Sequence, residues 1–152
     1  MAFFDVSLKL GTDNRHHFEI DENGDLKHDE SFDSFINVSL FSDRRANESE
    51  MQQPEKRRGW EGDEFLNLND YLIGSKLWLL EQSRNTIENR NKAVQIVQEA
   101  LDWFVQVGYC ERVEVSGRRI LPSELEITSD FYVQNNLIKS FTFNVWEKTN
   151  VN

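Results

Sequence analysis

The stretch from Asn85 to Gly108 constrains this chain more than any other. Ala93, Ile96, Val97, Ala100, Leu101, Phe104 and Val107 recur at intervals of three and four, the spacing that lines one face of an α-helix. Asn85, with Glu88 three residues on, has the form of a capping box, and Gly108 stands where such a helix stops. A long helix with one apolar face must lie against something. The sequence that follows supplies the surface. After Gly108 the period falls to two: Val113 and Val115, then Ile120 after a Ser-Gly-Arg-Arg turn, Leu125 and Ile127, and finally Phe141, Phe143 and Val145. Pro122 breaks the chain between strands, and Gln134-Asn135-Asn136 separates the last two. The C-terminal third therefore predicts an antiparallel sheet of about three strands packed on the long helix.

Upstream, Val6, Leu8 and Leu10 alternate with Ser7 and Lys9, Phe18 and Ile20 alternate again, and Asn23-Gly24 is a strong signal for a tight hairpin turn. These predict a small N-terminal β-meander. From Ser31, which suits an N-cap, Phe32, Phe35, Ile36 and Leu40 fall on one helical face that runs out near Asp43-Arg44-Arg45. A second, short apolar helix starts at Gly74-Ser75, with Leu77, Leu80 and Glu81 sharing a side. Between the two lies a long loop over residues 47–64 without apolar period. Loops beyond about 12 to 15 residues are uncommon in compact domains and tend to be functional or disordered. The class is α+β, with the helices in the middle of a single domain spanning residues 1–152.

Several function classes are poorly served by these residues. The balance of 17 basic and 27 acidic residues gives a net charge of −10, which repels a phosphate backbone, and Glu55-Lys56-Arg57-Arg58 is too short a basic run to overcome it. No nucleic-acid partner is expected. No segment approaches the ~20 apolar residues that span a bilayer, and the N-terminus has no basic head followed by an apolar run. The lone Cys110 allows neither an intrachain disulfide nor a zinc framework, and a reducing compartment fits best. His16 and His17, adjacent on a strand, point to opposite faces and do not share a metal ion easily. Asp21 to Phe32 resembles a calcium loop but has Leu26 where Gly is needed and Phe32 where a bidentate Glu is needed. Glu61 with Glu64 is the sort of carboxylate pair a glycosidase uses, yet their charged flanks place them in water, where neither acid is tuned. No cofactor is expected.

Residues 56–65, Lys-Arg-Arg-Gly-Trp-Glu-Gly-Asp-Glu-Phe, stand out within the loop. Gly59 and Gly62 flank Trp60 and let the backbone turn sharply around a side chain that must bury somewhere. The arginines and Asp63 supply forked hydrogen-bonding groups suited to a fixed partner.

Four blocks then follow one another: Ile36 to Ala46, Arg57 to Phe65, Ile73 to Gln82, and the long helix leading into Glu111 to Val115. In that order they resemble the Mu-type phage baseplate protein family, itself similar to the wedge or sheath-initiator proteins of contractile tails, a group at times labelled lysozyme-like. The resemblance covers roughly residues 20–120. Where the family shows two tryptophans after Arg-Arg-Gly, this chain has Trp60 and Glu61. Where the wider group reads Glu-Pro-Arg, it has Cys110-Glu111-Arg112 and retains the arginine.

The resemblance implies a structural role in a virion tail baseplate assembled in the bacterial cytoplasm. Six copies would ring the tail hub, clamp the wedge proteins, and present the surface on which the tail sheath starts. It marks Arg44, Arg57, Arg58, Trp60, Asp63, Gly74, Trp78 and Arg112 for loop docking or interfaces. The final strand adds an edge for strand addition by the sheath, with Ser140, Thr142, Asn144 and Trp146 facing outward. The alternatives are a peptidoglycan-degrading tail enzyme and a soluble regulatory binding module.

Overall fold

The computed structural model describes residues 5–6, 8–10, 12, 15–29, 33–50, 58–59, 74–81, 83–121 and 124–146. In chain order these form strands β1 (Asp5–Val6), β2 (Leu8–Leu10), β3 (His16–Phe18) and β4 (His28–Asp29), helix α1 (Asp33–Phe41), and 3-10 turns at Glu48–Glu50 and Leu77–Leu80. Helix α2 (Ile87–Gln106) and strands β5 (Arg112–Leu121), β6 (Glu124–Val133) and β7 (Asn136–Val145) follow. The class is α+β, as the change of period predicts.

Helix α2 begins one residue later than expected. Its N-cap is Thr86, whose extended backbone lets the hydroxyl accept from the Asn89 N–H at 3.2 Å. Glu88 thereby falls in the first turn, where a carboxylate complements the helix dipole, instead of closing a box with Asn85. The C-terminus closes as the glycine predicts: Gly108 N–H donates to Val105 O at 3.1 Å and Tyr109 N–H to Phe104 O at 2.9 Å, the paired bonds of a Schellman motif.

The apolar stripe of α2, from Ala93 to Phe104, is buried against the inner row of β6, where Leu125, Ile127, Ser129 and Phe131 alternate with half-buried residues. Phe104 meets Phe131 edge to face at 5.2 Å. The strands are ordered β5-β6-β7, all antiparallel. Gln134 and Asn135, at φ 50° and 61°, make the two-residue turn between β6 and β7. The Ser-Gly-Arg-Arg turn does not form, since Ser116 to Arg119 continue β5 in register with β6. Gly117 serves close packing there: a Cβ on it would stand 2.9 Å from Val94 Cγ2 on α2.

Helix α1 ends at Phe41, short of the expected Asp43–Arg45, because the following residues pair elsewhere. The Ser31 cap and Phe32 lie outside the described residues. α1 is tied to α2 by the Trp103 indole, which donates to Ser39 Oγ at 2.8 Å, and by the edge of Phe35 on the same ring. Asp33 at its start pairs with Lys139 of β7. The expected short apolar helix is the single 3-10 turn Leu77–Leu80. At the N-terminus two separate two-stranded pairs form, β1 with β4 and β2 with β3. The turn at Asn23-Gly24 is closed by Asp21, whose carboxylate accepts from the N–H groups of Asn23 and Asp25.

Candidate interface site

The site is built on the four residues that leave α1. Ser42 O accepts from Ser75 N–H, and Arg44 N–H donates to Ser75 O, both at 2.9 Å, so the strip lies in parallel with Ser75. The Ser75 hydroxyl, itself buried, donates to Leu40 O at 2.6 Å and satisfies a carbonyl at the end of the helix. Only glycine fits beside it: Gly74 has φ +91°, and a Cβ there would stand 2.3 Å from Ser42 O. Trp78 closes the strip by donating its indole N–H to Arg44 O at 2.8 Å.

Arg58 joins from the far side of the long loop. Its two terminal nitrogens meet the two carboxylate oxygens of Glu81 at 3.2 Å each, and one also reaches Asp43 Oδ2 at 3.3 Å. The guanidinium lies 5.0 Å from the centre of the Trp78 ring. The Glu81 hydrogen bonds hold it still more firmly protonated, against a smaller cost of burial. Gly59, at φ +112°, presses against Arg45, where a Cβ would stand 2.6 Å from Arg45 Cβ. A second staple joins Lys76 Nζ to Glu50 at 3.0 Å. Burial by itself raises the Glu50 carboxyl, but the Asn47 N–H and the ammonium groups of Lys76 and Lys92 outweigh it and hold the group below its ordinary value. Each end of the turn Leu77–Leu80 is thus ion-paired to a residue of the long loop.

Four of the expected residues, Arg44, Arg58, Gly74 and Trp78, converge here. Arg57, Trp60 and Asp63 lie outside the described residues, as do Glu61 and Glu64. Arg112 belongs to the opposite end of the sheet, where it bonds Glu114 at 2.7 Å and Asn135 at 3.1 Å and lies 4.0 Å over the Tyr132 ring. The sequence gives little hint of Asp43, Ser75, Lys76, Glu50 and Glu81 as partners. Asp43, Ser75, Lys76 and Glu81 do stand inside the four blocks, beside Arg44, Gly74 and Trp78.

A groove of about 430 Å³ adjoins the site, floored by Leu40, Leu77, Leu80 and Phe143 and rimmed by Asp43 and Glu81. It leads to the open edge of β7. Tyr132 O accepts from Glu111 N–H on the β5 side at 2.8 Å. Main-chain groups alternate in direction along a strand, so Asp130, Thr128 and Glu126 also address β5. Their partners on β7, Ser140, Thr142 and Asn144, therefore turn N–H and C=O to the outer edge. The close Ser140–Asp130 and Thr128–Thr142 side-chain contacts, at 2.6 and 3.1 Å, fit such non-hydrogen-bonded pairs. Among the described residues no strand covers that edge. Trp146 departs from the expected outward row. At φ 58° it turns back, half-buried, and donates its indole N–H to Leu80 O.

Chemically the cluster holds chain segments together. Its carboxylates are engaged by arginine or lysine, and among the described residues no three His, Cys, Asp or Glu side chains gather as a metal site. Burial raises the Cys110 thiol, a backbone N–H from Arg112 only partly offsetting it, which favours the protonated thiol over the thiolate. Among the described residues no helix is long and apolar enough to cross a membrane.

Residues 33–136 match the family model described as "Phage protein GP46". Over 98 residues the chain is 34% identical to "Baseplate protein gp46" of Escherichia phage Mu, covering 63% of this chain and 66% of that relative. The matched family span runs from the start of α1 to the turn between β6 and β7 and takes in the whole Arg58–Glu81–Trp78 cluster.

Proposed function

Because the chain belongs to the Phage protein GP46 family, we propose that it is a structural component of a phage tail baseplate that joins neighbouring tail proteins and performs no chemistry. The observation that carries this reading is the cluster around Arg58. Its charged groups are spent on fixing one loop end to two other chain segments, the work of a scaffold, and the Mu relative of the same family is a baseplate protein by name.

In the finer reading, six copies ring the tail hub in the virion, assembled in the host cytoplasm, and each bridges wedge proteins and starts the sheath by strand addition on β7. The outward N–H and C=O groups of Ser140, Thr142 and Asn144 support it, because an open row of this kind accepts an added strand through main-chain bonds. Arg44, Arg58, Gly74 and Trp78 then shape the loop that meets the wedge. Arg112 steadies the far end of the same sheet.

The test replaces an outward donor. Thr142→Pro and Asn144→Pro each delete an edge N–H while sparing the main-chain bonds to β6, and Thr142→Pro also loses the hydroxyl contact with Thr128. Both variants are expected to fold, enter baseplates and yield tubes without sheath. Normal contractile tails from both, with folding shown by circular dichroism, would remove β7 as the docking edge. Absence of the wild-type chain from purified tails would remove the baseplate reading altogether.

A further inference from the structure

We propose that a small pocket between the first turns of α2 and the end of β5 receives a carboxylate side chain, glutamate or aspartate beside an apolar residue, from a partner protein. The inference stands apart from the strand-edge reading. The pocket measures about 120 Å³ and is lined by Arg90, Asn91 and Val94 of α2 and by Gly117 and Arg119 of β5.

Alternation makes Arg119 the unexpected member. Val113, Val115 and Gly117 form the row of β5 that faces α2, and Arg119 comes next on that row, where an apolar side chain belongs. The register shift between Arg119 and Leu121 marks an irregularity of the kind that re-aims a side chain. Gly117 lets the helix approach closely enough for Arg90 and Arg119 to line one cavity.

Arg90 donates its Nε–H to Thr86 O at 3.2 Å, and among the described residues no carboxylate meets its terminal nitrogens or any side-chain nitrogen of Arg119. The neighbouring Arg118 shows the contrast, since it pairs with Glu126 across the sheet at 2.9 Å. In a chain with 27 acids and 17 bases, two guanidinium groups line one pocket with no acid among the described residues, an arrangement matched to a carboxylate from a partner. The net charge of −10 disfavours a phosphate-rich polymer, and a pocket of about 120 Å³ suits a single carboxylate. Ile87, 69% exposed on the pocket wall, offers the apolar contact beside it.

The experiment follows the arginine Nε–H signals of the full chain by NMR while a Glu-Leu repeat peptide is added at low salt. Saturable shifts are expected at Arg90 and Arg119 and not at Arg15. Arg90→Gln with Arg119→Gln should weaken binding about tenfold or more. Arg84→Gln with Lys92→Gln, the same loss of charge elsewhere, should change it less than about twofold. Arg119→Lys, which keeps the charge and loses the fork, serves as a milder variant and should also weaken binding. Equal weakening by both double variants overturns the proposal, as does an absence of saturable shifts. Binding of inorganic phosphate but not peptide likewise overturns it. In those cases Arg119 serves only as an inward charge that keeps the β5 edge from pairing.

Discussion

Trp146 donates its indole N–H to the carbonyl of Leu80 at 2.9 Å, a bond across 66 positions of chain. It ties the end of the sheet to the 3-10 turn that carries Trp78, so sheet edge and loop clasp are one mechanical unit. Trp146→Phe keeps most of the packing and loses the bond. The expected cost is about 1–2 kcal/mol in urea denaturation, with Trp146→Ala costing more. Equal stability of Trp146→Phe and wild type would mean the bond carries no load.

The Arg58–Glu81 fork is partly exposed, and its worth is correspondingly modest. A double-mutant cycle of Arg58→Ala and Glu81→Ala should give a coupling of about 0.5–1 kcal/mol that shrinks as salt is added. Arg58→Lys should recover little of it, because the ammonium cannot reproduce the two-point contact. Full recovery by lysine would reduce the pair to a simple charge attraction.

Two glycines at left-handed φ separate conformation from contact. Gly24→Ala meets nothing within 4 Å, and only backbone strain of about 1 kcal/mol is expected. Gly74→Ala drives a methyl group into Ser42 O and should cost about 3 kcal/mol or more. Thermal unfolding of the two variants side by side decides the matter. Similar losses would show that the strip after α1 gives way easily.

Glu50 predicts an acid-side loss of stability. Its folded carboxyl lies below the ordinary value of 4.5, so its contribution is complete above that pH and is lost as pH falls through the depressed folded value. Glu50→Gln should be less stable than wild type at neutral pH, and the gap should close on acidification below about pH 4. A gap that stays constant down to acid unfolding would contradict the shift.

Purified protein should leave peptidoglycan intact, with no loss of turbidity and no clearing on zymograms. The reason is the scaffold use of the carboxylates around Arg58. Clearing that disappears on Glu61→Gln or Glu64→Gln would establish the lysozyme-like alternative.

Elements that are strongly periodic were legible in the sequence. The α2 stripe, the inner rows of β6 and β7 and the class of the fold could be read because burial repeats at 3.6 or at 2. A glycine among polar residues signals a turn at Ser116–Arg119, while Gly117 is there to let Val94 approach, a tertiary reason invisible in a local window. The cap moved from Asn85 to Thr86 because both residue types suit the role and only the chain path chooses between them. At the interface site Arg44, Arg58, Gly74 and Trp78 could be picked as a set through family resemblance. Their partners Asp43 and Glu81 could not, since pairings across 15 and 23 positions leave no local pattern.

The long-range ties of α1 set the order in which the chain can fold as it is made. Helix α2 and the three strands after it are continuous in sequence, and each finds its neighbour within a short loop. Helix α1 and the turn Leu77–Leu80, by contrast, close onto Trp103 and Trp146 across 64 and 66 positions. On the ribosome α1 emerges early and meets its partners Trp103 and Lys139 only after α2 and then β7 have been made. Docking of non-local contacts is slow relative to local pairing, so α1 waits while α2 and the strands after it set the template. The helix translated first is the one that docks last, and hydrogen-exchange labelling during refolding should protect α2 and β6 before α1.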